Sequence, residues 1–156
     1  MRVCGLCVAF IHTCHYNNTR FARAAGGNHK EVCSYLLEKG AVVDQTDKSG
    51  RTALHWAAIS GHKEAAEFLL SKGATVMAVT TSKMTPLHGA CEGGRLEIVR
   101  LLIEKAGADK EAACNALDDD GKTPCALAVA GQHKPVIKLL KELGDPNAAS
   151  VACVIS

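Results

Sequence analysis

Apolar residues recur at helical spacing in four stretches of the chain, and polar segments separate these stretches. Each stretch begins with a block of small residues and continues with a block of larger aliphatic ones. Residues three and four positions apart lie on one face of a helix, so each stretch predicts a pair of short helices with a shared apolar face. The larger aliphatic blocks fall at 32–37, 68–70, 98–103 and 136–140.

A repeated motif relates the four stretches to one another. Residues 52–58 read TALHWAA, and 33 positions later residues 85–91 read TPLHGAC. Residues 19–25 (TRFARAA) and 123–129 (TPCALAV) continue the register at distances of 33 and 38 residues. A threonine hydroxyl can cap a helix N-terminus, and Pro86 and Pro124 suit the first helical turn. A fixed period of this length indicates a solenoid of stacked helical units.

The ends of the units are also marked in the sequence. A glycine follows each larger aliphatic block and favours a left-handed C-cap: Gly40, Gly73, Gly107 and Gly144. In the fourth unit Lys141 stands where the others have Leu37, Leu70 and Ile103. This lysine predicts a solvated outer face and a terminal unit. The connection between the third and fourth units is five residues longer than the others, with the extra residues around 105–106 and within 109–120.

The T-P-L-H-x-A pattern with its 33-residue period resembles the ankyrin-repeat family. The resemblance implies an all-α ankyrin-repeat solenoid of four helix-turn-helix units with projecting β-hairpin-like loops. The repeats would lie at about 19–51, 52–84, 85–122 and 123–145, in one domain spanning 19–145. Residues 1–18 are then an N-terminal cap segment or a divergent partial repeat, and residues 146–156 are a flexible C-terminal tail.

The same resemblance implies a protein–protein interaction module without catalytic activity, which binds a partner protein of unknown identity through a concave surface. Members bind through their hairpin tips and the exposed side of the first helix of each repeat. Trp56, the only tryptophan, is the expected contact centre. The alternative is that Trp56 shields the seam between repeats. By register the partner-binding positions are Lys48, Ser49, Arg51, Trp56, Ile59, Ser60, Met84, Glu92, Asp119, Asp120 and Lys122. They place a basic patch at Lys48 and Arg51 and an acidic one at Asp119 and Asp120.

The histidines follow the repeat and are therefore interpreted as structural. His55 and His88 stand three residues after a threonine. In ankyrin repeats, histidine at this position links the threonine hydroxyl to neighbouring backbone. His29, His62 and His133 stand ten residues after a threonine, at the start of the second helix. A catalytic residue is not expected to recur with the period of the scaffold.

Composition narrows the function further. The net charge of +2 is too small to indicate nucleic acid or a polybasic membrane patch. No apolar run approaches the ~20 residues that span a bilayer. Cys33, Cys91 and Cys125 occupy positions where other repeats have Ala or Leu, which indicates small core residues in a reducing compartment. We therefore expect a cytoplasmic monomer without a cofactor.

The N-terminal segment holds thiol and imidazole groups that suit zinc. Cys4 and Cys7 are followed by His12, Cys14 and His15. Zinc sites favour these residue types and the two-residue cysteine spacing. The later ligands come too soon for a zinc-finger hairpin, however, and redox chemistry would need a βαβ context. A zinc or thiol site is therefore the alternative to a cap.

The C-terminal tetrapeptide 153–156, CVIS, fits the C-a-a-X pattern, and a terminal serine favours a farnesyl group on Cys153. A single lipid chain supports only reversible membrane association, since no polybasic run precedes Cys153. The expected location is then the cytosolic face of a membrane. The prediction requires a eukaryotic source in which Ser156 is the natural end.

Residues 50–57 (GRTALHWA), with Gly61, His62 and residues 67–70 (EFLL), also resemble gankyrin-type proteasome-assembly ankyrin proteins. Those proteins have more repeats, and the shared residues are widespread in ankyrin repeats. A proteasome-assembly chaperone is therefore a further alternative function.

Overall fold

The computed structural model describes residues 20–143, which form paired helices joined by turns and contain no β-strand. The first helices of the pairs are α1 (20–26), α3 (Ala53–Ser60), α5 (Pro86–Glu92) and α8 (Pro124–Ala130). The second helices are α2 (Lys30–Glu38), α4 (Lys63–Ser71), α6 (Leu96–Ala106) and α9 (Lys134–Glu142). These elements confirm an all-α solenoid of helix-turn-helix units.

Threonine caps start the first helices, as the repeat motif predicts. Thr52, Thr85 and Thr123 are the N-caps of α3, α5 and α8, and all three have extended backbone. The Thr85 hydroxyl accepts a hydrogen bond from the His88 N–H, and the Thr123 hydroxyl accepts one from the Ala126 N–H. Thr52, Thr85 and Thr123 thus occupy equivalent places in their repeats, while Thr19 lies outside the described residues.

Glycine ends the second helices where the chain must turn back. Gly40 and Gly73 have φ values of +88° and +87° after α2 and α4. L-residues with a Cβ rarely adopt this conformation, and glycine adopts it without strain. Gly107 also has positive φ after α6, whereas Gly144 lies outside the described residues.

The core is a continuous layer of small residues between first helices and of larger aliphatic residues on second helices. Helix α5 packs against both α3 and α8, and their fully buried contact residues include Ala57, Ala58, Ala90, Cys91 and Ala128. Small side chains at these positions let neighbouring helices approach closely. The larger buried residues of the second helices include Leu69, Ile98, Val99, Leu102, Val136 and Leu140.

The longer third connection contains an additional helix. A 3₁₀ turn at Gly107–Asp109 is followed by α7 (Lys110–Asn115), and Ala113 and Cys114 are buried there. The sequence predicts additional residues at this place but does not predict that they form a helix. Residues 110–114 (KEAAC) combine good helix formers with two small apolar residues that pack against the array, which explains the helix.

The outer side of α9 is polar, as expected for the fourth unit. Lys134, Lys138 and Lys141 are exposed, while the apolar residues of α9 face the core. Pro135 lies in the first turn, where a missing N–H removes no helical hydrogen bond. Among residues 20–143, no helix is long and apolar enough to cross a membrane.

Candidate functional site

Three equivalent hairpin turns project from the helix pairs, at residues 47–51, 80–84 and 118–122. In each, the first N–H donates to the carbonyl of the last residue, at 2.9, 3.0 and 3.1 Å. A side-chain oxygen of the first residue also accepts a backbone N–H within the turn. Asp47, Thr80 and Asp118 provide these oxygens. The same local chemistry therefore fixes the shape of all three turns.

Backbone hydrogen bonds join each hairpin turn to the next one. The Thr81 N–H donates to the Ser49 carbonyl at 3.0 Å, and the Asp119 N–H donates to the Ser82 carbonyl at 3.1 Å. The turns consequently form one continuous edge and hold their exposed side chains in a fixed order. Lys48, Ser49, Asp119, Asp120 and Lys122, which the sequence predicts as partner-binding residues, are exposed along it.

His55 and His88 link neighbouring repeats behind this edge. Nδ1 of each ring accepts the N–H of its own N-cap threonine at 3.1 Å, so Nε2 carries the proton. Nε2 of His55 donates to the Met84 carbonyl at 3.1 Å, and Nε2 of His88 donates to the Lys122 carbonyl at 3.3 Å. The structural role expected for these histidines is confirmed.

Burial also keeps both rings neutral. Burial lowers the pKa of His55 below its usual value, because the charged form loses hydration, and the hydrogen bond to Met84 only partly opposes this. Burial likewise lowers the pKa of His88, against the opposing hydrogen bond to Lys122. A neutral ring with Nδ1 as acceptor is the form that both sets of hydrogen bonds require.

Two of the residues that precede second helices also link neighbouring repeats. His29, His62 and His133 are the N-caps of α2, α4 and α9, as predicted, and Arg95 holds the same place before α6. Nε2 of His133 lies 2.8 Å from the Glu92 carbonyl, and Nε of Arg95 donates to the Ile59 carbonyl at 3.1 Å. Each contact satisfies a carbonyl at the C-terminal end of the first helix of the preceding repeat.

The hairpin turns and one side of the first helices form a surface that we call the inner face. The first-helix side chains on it stand four and seven positions after the threonine that begins each repeat. Trp56 is half-buried at its centre. The indole N–H donates to Oδ2 of Asp47 at 3.2 Å, and the Arg51 guanidinium lies 5.2 Å from the ring centroid. The ring is thus held from its edge and from one face by the preceding hairpin turn.

Asp47 remains ionised at this position. Burial raises the pKa of its carboxyl group, but this effect is outweighed by hydrogen bonds from the Arg51 and Ser49 N–H groups, by the Trp56 indole and by the Arg51 charge. The net result is a pKa below the usual value. A permanently charged Asp47 keeps the turn and the Trp56 ring together near neutral pH.

Ile59 lies one helical turn beyond Trp56 and covers Gly89 of the next repeat. A Cβ atom on Gly89 would lie 2.6 Å from Cγ1 of Ile59, so the two helices meet closely at this point. Ile59, Ser60 and Met84 are all half-buried. The middle of the inner face is therefore an apolar surface with limited exposure, bordered by charged hairpin turns.

The acidic residues of the third hairpin turn have basic partners. Nζ of Lys83 lies 3.2 Å from Oδ1 of Asp119, and Nζ of Lys122 lies 3.1 Å from Oδ2 of Asp120. The hydrogen bond and charge of Asp120 raise the pKa of Lys122. The separate acidic patch expected at Asp119 and Asp120 is therefore compensated locally.

Two contributors to the inner face are not among the partner-binding residues that the sequence predicts. Lys83 pairs with Asp119 in the neighbouring turn. Arg23 stands four residues after Thr19 and so shares the register of Trp56. The repeat alignment contained the signal for Arg23, whereas the Lys83 contact depends on how two turns stack.

Other candidate sites fall on different parts of the chain. Cys33, Cys91 and Cys125 are buried thiols, as expected for core residues, and Cys114 of α7 is buried too. Residues 20–143 contain no cluster of potential metal ligands. Burial, together with the charge of Glu31, raises the pKa of Cys33 to about 11. The zinc candidates Cys4, Cys7, His12, Cys14 and His15 and the lipidation candidate Cys153 lie outside the described residues.

The family model for ankyrin repeats (three copies) matches residues 5–80 and 76–150. These ranges span most of the 156 residues, and the first begins within the segment predicted as an N-terminal cap. No curated protein matches this chain.

Proposed function

Because this chain belongs to the ankyrin-repeat family, whose repeats are in general protein–protein interaction modules, we propose that it binds a partner protein through its inner face. The inner face corresponds to the surface that the family resemblance predicts to be concave. First helices and hairpin turns leave these side chains accessible, whereas second helices bury their apolar faces in the array.

The immobilised Trp56 ring is the observation that carries this proposal. Asp47 and Arg51 hold it in one orientation, so little side-chain entropy is lost when a partner binds. Tryptophan and arginine are the residue types most enriched among interface hot spots. Ile59, one turn away, extends the apolar surface beside the ring. Together they support a contact centre on α3.

Replacement of Trp56 by Ala tests the assignment. Proteins captured from the native cells on the intact chain are compared quantitatively with those captured on Trp56→Ala, and the affinity of the best-retained partner is then measured. We expect a loss of at least about 2 kcal/mol, or roughly 30-fold in Kd. Tyr35→Ala is the matched control, because Tyr35 is an aromatic residue that is 57% exposed on the second helix α2.

Equal affinity of the intact chain and Trp56→Ala, with the fold retained, would contradict the assignment. A proteasomal ATPase subunit among the proteins captured would favour the assembly role that residues 50–57 and 67–70 suggest.

We also propose that Cys153 accepts a farnesyl group when Ser156 is the free C-terminus in a eukaryotic cell. The CVIS tetrapeptide supplies the thiol, the two aliphatic residues and the terminal serine that this modification requires. One lipid chain would give reversible membrane association. Mass spectrometry of the C-terminal peptide from native cells is the test, with Cys153→Ser as control. An unmodified peptide ending at Ser156 would contradict the proposal.

A further inference from the structure

Two basic side chains on the N-terminal half of the inner face, Arg23 and Lys48, form no ion pair among residues 20–143. Arg23 is exposed on α1 in the register of Trp56, and Lys48 is exposed at the tip of the first hairpin turn. The ion pairs of the described chain all lie elsewhere: Lys63 with Glu67 and Glu97, Lys83 with Asp119, Lys122 with Asp120, and Lys138 with Glu142. The positive charge of Arg23 and Lys48 is therefore available to a ligand.

Arg51 adds a third cation in a fixed position. Its guanidinium lies over the Trp56 ring, and its backbone N–H donates to Oδ1 of Asp47. Asp47 itself is directed inward, where it accepts from Ser49, Arg51 and Trp56. Three of the roughly four acceptor positions of this carboxylate are used by these bonds, which hold it toward the turn and the Trp56 ring.

The opposite end of the inner face has little uncompensated charge. Asp119 and Asp120 are engaged by Lys83 and Lys122 at 3.2 and 3.1 Å. Glu92 remains exposed at this end, on α5. The inner face thus has a basic N-terminal half, an apolar middle at Trp56 and Ile59, and a C-terminal half in which Lys83 and Lys122 are already paired with carboxylates.

We propose that the partner presents an acidic segment containing an apolar side chain. Its carboxylates pair with Arg23, Lys48 and Arg51, and its apolar side chain packs on Trp56 and Ile59. The planar forks of Arg23 and Arg51 suit bidentate pairing with carboxylates. This inference rests on the proposed function, which it deepens by naming the chemistry of the partner.

Charge along the face favours a peptide over nucleic acid. A polynucleotide carries a phosphate at every step, and where it extends past Trp56 it would meet the exposed Glu92 and two lysines, Lys83 and Lys122, that are already paired with carboxylates. An acidic peptide can place its carboxylates at one end only. The asymmetry of the inner face thus also orients the bound segment.

Selection from a library of random short peptides displayed on phage, with the full chain as bait, tests this chemistry without a known partner. We expect the selected peptides to be enriched in Asp and Glu on one side of a Leu, Phe or Trp. The most enriched peptide is then synthesised with a fluorescent label, and its Kd is measured by anisotropy.

Charge reversal identifies the surface that the peptide uses. The double variant Arg23→Glu with Lys48→Glu should bind the labelled peptide about tenfold more weakly. Arg100→Glu is the matched control, because Arg100 is exposed on the second helix α6, and it should leave Kd unchanged. Added salt should weaken binding to the intact chain more than binding to the double variant.

The outcomes separate this inference from the proposed function. Selected peptides that lack acidic enrichment but lose affinity with Trp56→Ala would overturn the inference and leave the proposed function standing. Peptides whose affinity is unaffected by Trp56→Ala, or no selected peptides at all, would count against both. Tighter binding of a short oligothymidylate than of the selected peptide would overturn the inference in favour of nucleic acid.

Discussion

His55 and His88 are side chains through which one repeat fastens the hairpin turn of the next. His88 is fully buried and makes hydrogen bonds from both ring nitrogens. His88→Ala leaves the Lys122 carbonyl without its donor and opens a cavity, so we expect a loss of about 3 kcal/mol in the free energy of unfolding. Urea denaturation measures it, with His62→Ala as the control, since His62 is only half-buried.

The low pKa of these histidines predicts how stability depends on pH. Unfolded histidine has a pKa of about 6.5, and burial lowers the pKa of both rings in the folded state. Above pH 6.5 both states are neutral and the full stability is present. Below it the unfolded chain takes up protons first, so the free energy of unfolding should fall as the pH falls.

Urea midpoints measured from about pH 7.5 to pH 5.5 check this prediction. The decrease should be smaller in a variant that lacks His88. A free energy of unfolding that stays constant or rises over this window would contradict the neutral, buried state of the rings.

At the scale of helices, the close contact between α3 and α5 depends on a missing side chain. Gly89→Ala should gain about 1 kcal/mol in helix propensity, but its new Cβ would meet the stiff, β-branched Ile59. We expect net destabilisation of about 1–2 kcal/mol. In an Ile59→Ala background the same change should instead stabilise the chain. A coupling free energy near zero between Gly89→Ala and Ile59→Ala in a double-mutant cycle would contradict this contact.

The sequence predicts most helices, because their signals are local. Thr52, Thr85 and Thr123 cap helices, and Gly40 and Gly73 end them, through bonds and dihedral angles set within a few residues. The sequence does not predict α7. Its six residues are too few to show a helical period, and their burial against α6 and α8 becomes apparent only in the assembled array.

The sequence predicts only part of the candidate binding surface. Repeat register placed Trp56 and the exposed hairpin residues, since each unit repeats the last. The pairing of Lys83 with Asp119 joins residues in adjacent turns and depends on their stacking. The net charge of the inner face therefore depends on how the repeats stack. The sequence predicts an acidic patch at Asp119 and Asp120, but lysines compensate both residues.

At the scale of the whole molecule, the main helix–helix contacts among residues 20–143 join neighbouring repeats, and inner repeats are held on both sides. The alkylation rates of buried cysteines can compare how often inner and outer repeats open. Cys33 lies in the first unit, Cys91 in the third and Cys125 in the fourth. Under native conditions Cys91 should be alkylated most slowly, because exposing it requires the array to open in its middle. Mass spectrometry after timed labelling measures the three rates.

Equal labelling rates at the three sites would indicate that the described repeats open only as one cooperative unit. Labelling at high pH should remain slow at Cys33 in the folded chain, because its thiol is only 1% exposed and its pKa is raised to about 11.

The histidine link from His55 spans 29 residues and the link from His88 spans 34, yet their Nε2–oxygen distances are 3.1 and 3.3 Å. The five added residues are absorbed in the longer end of α6, the 3₁₀ turn and α7. This junction is consequently a permissive insertion point. A reporter domain genetically inserted at the exposed 3₁₀ turn, Gly107–Asp109, would leave Trp56 and the hairpin edge in place.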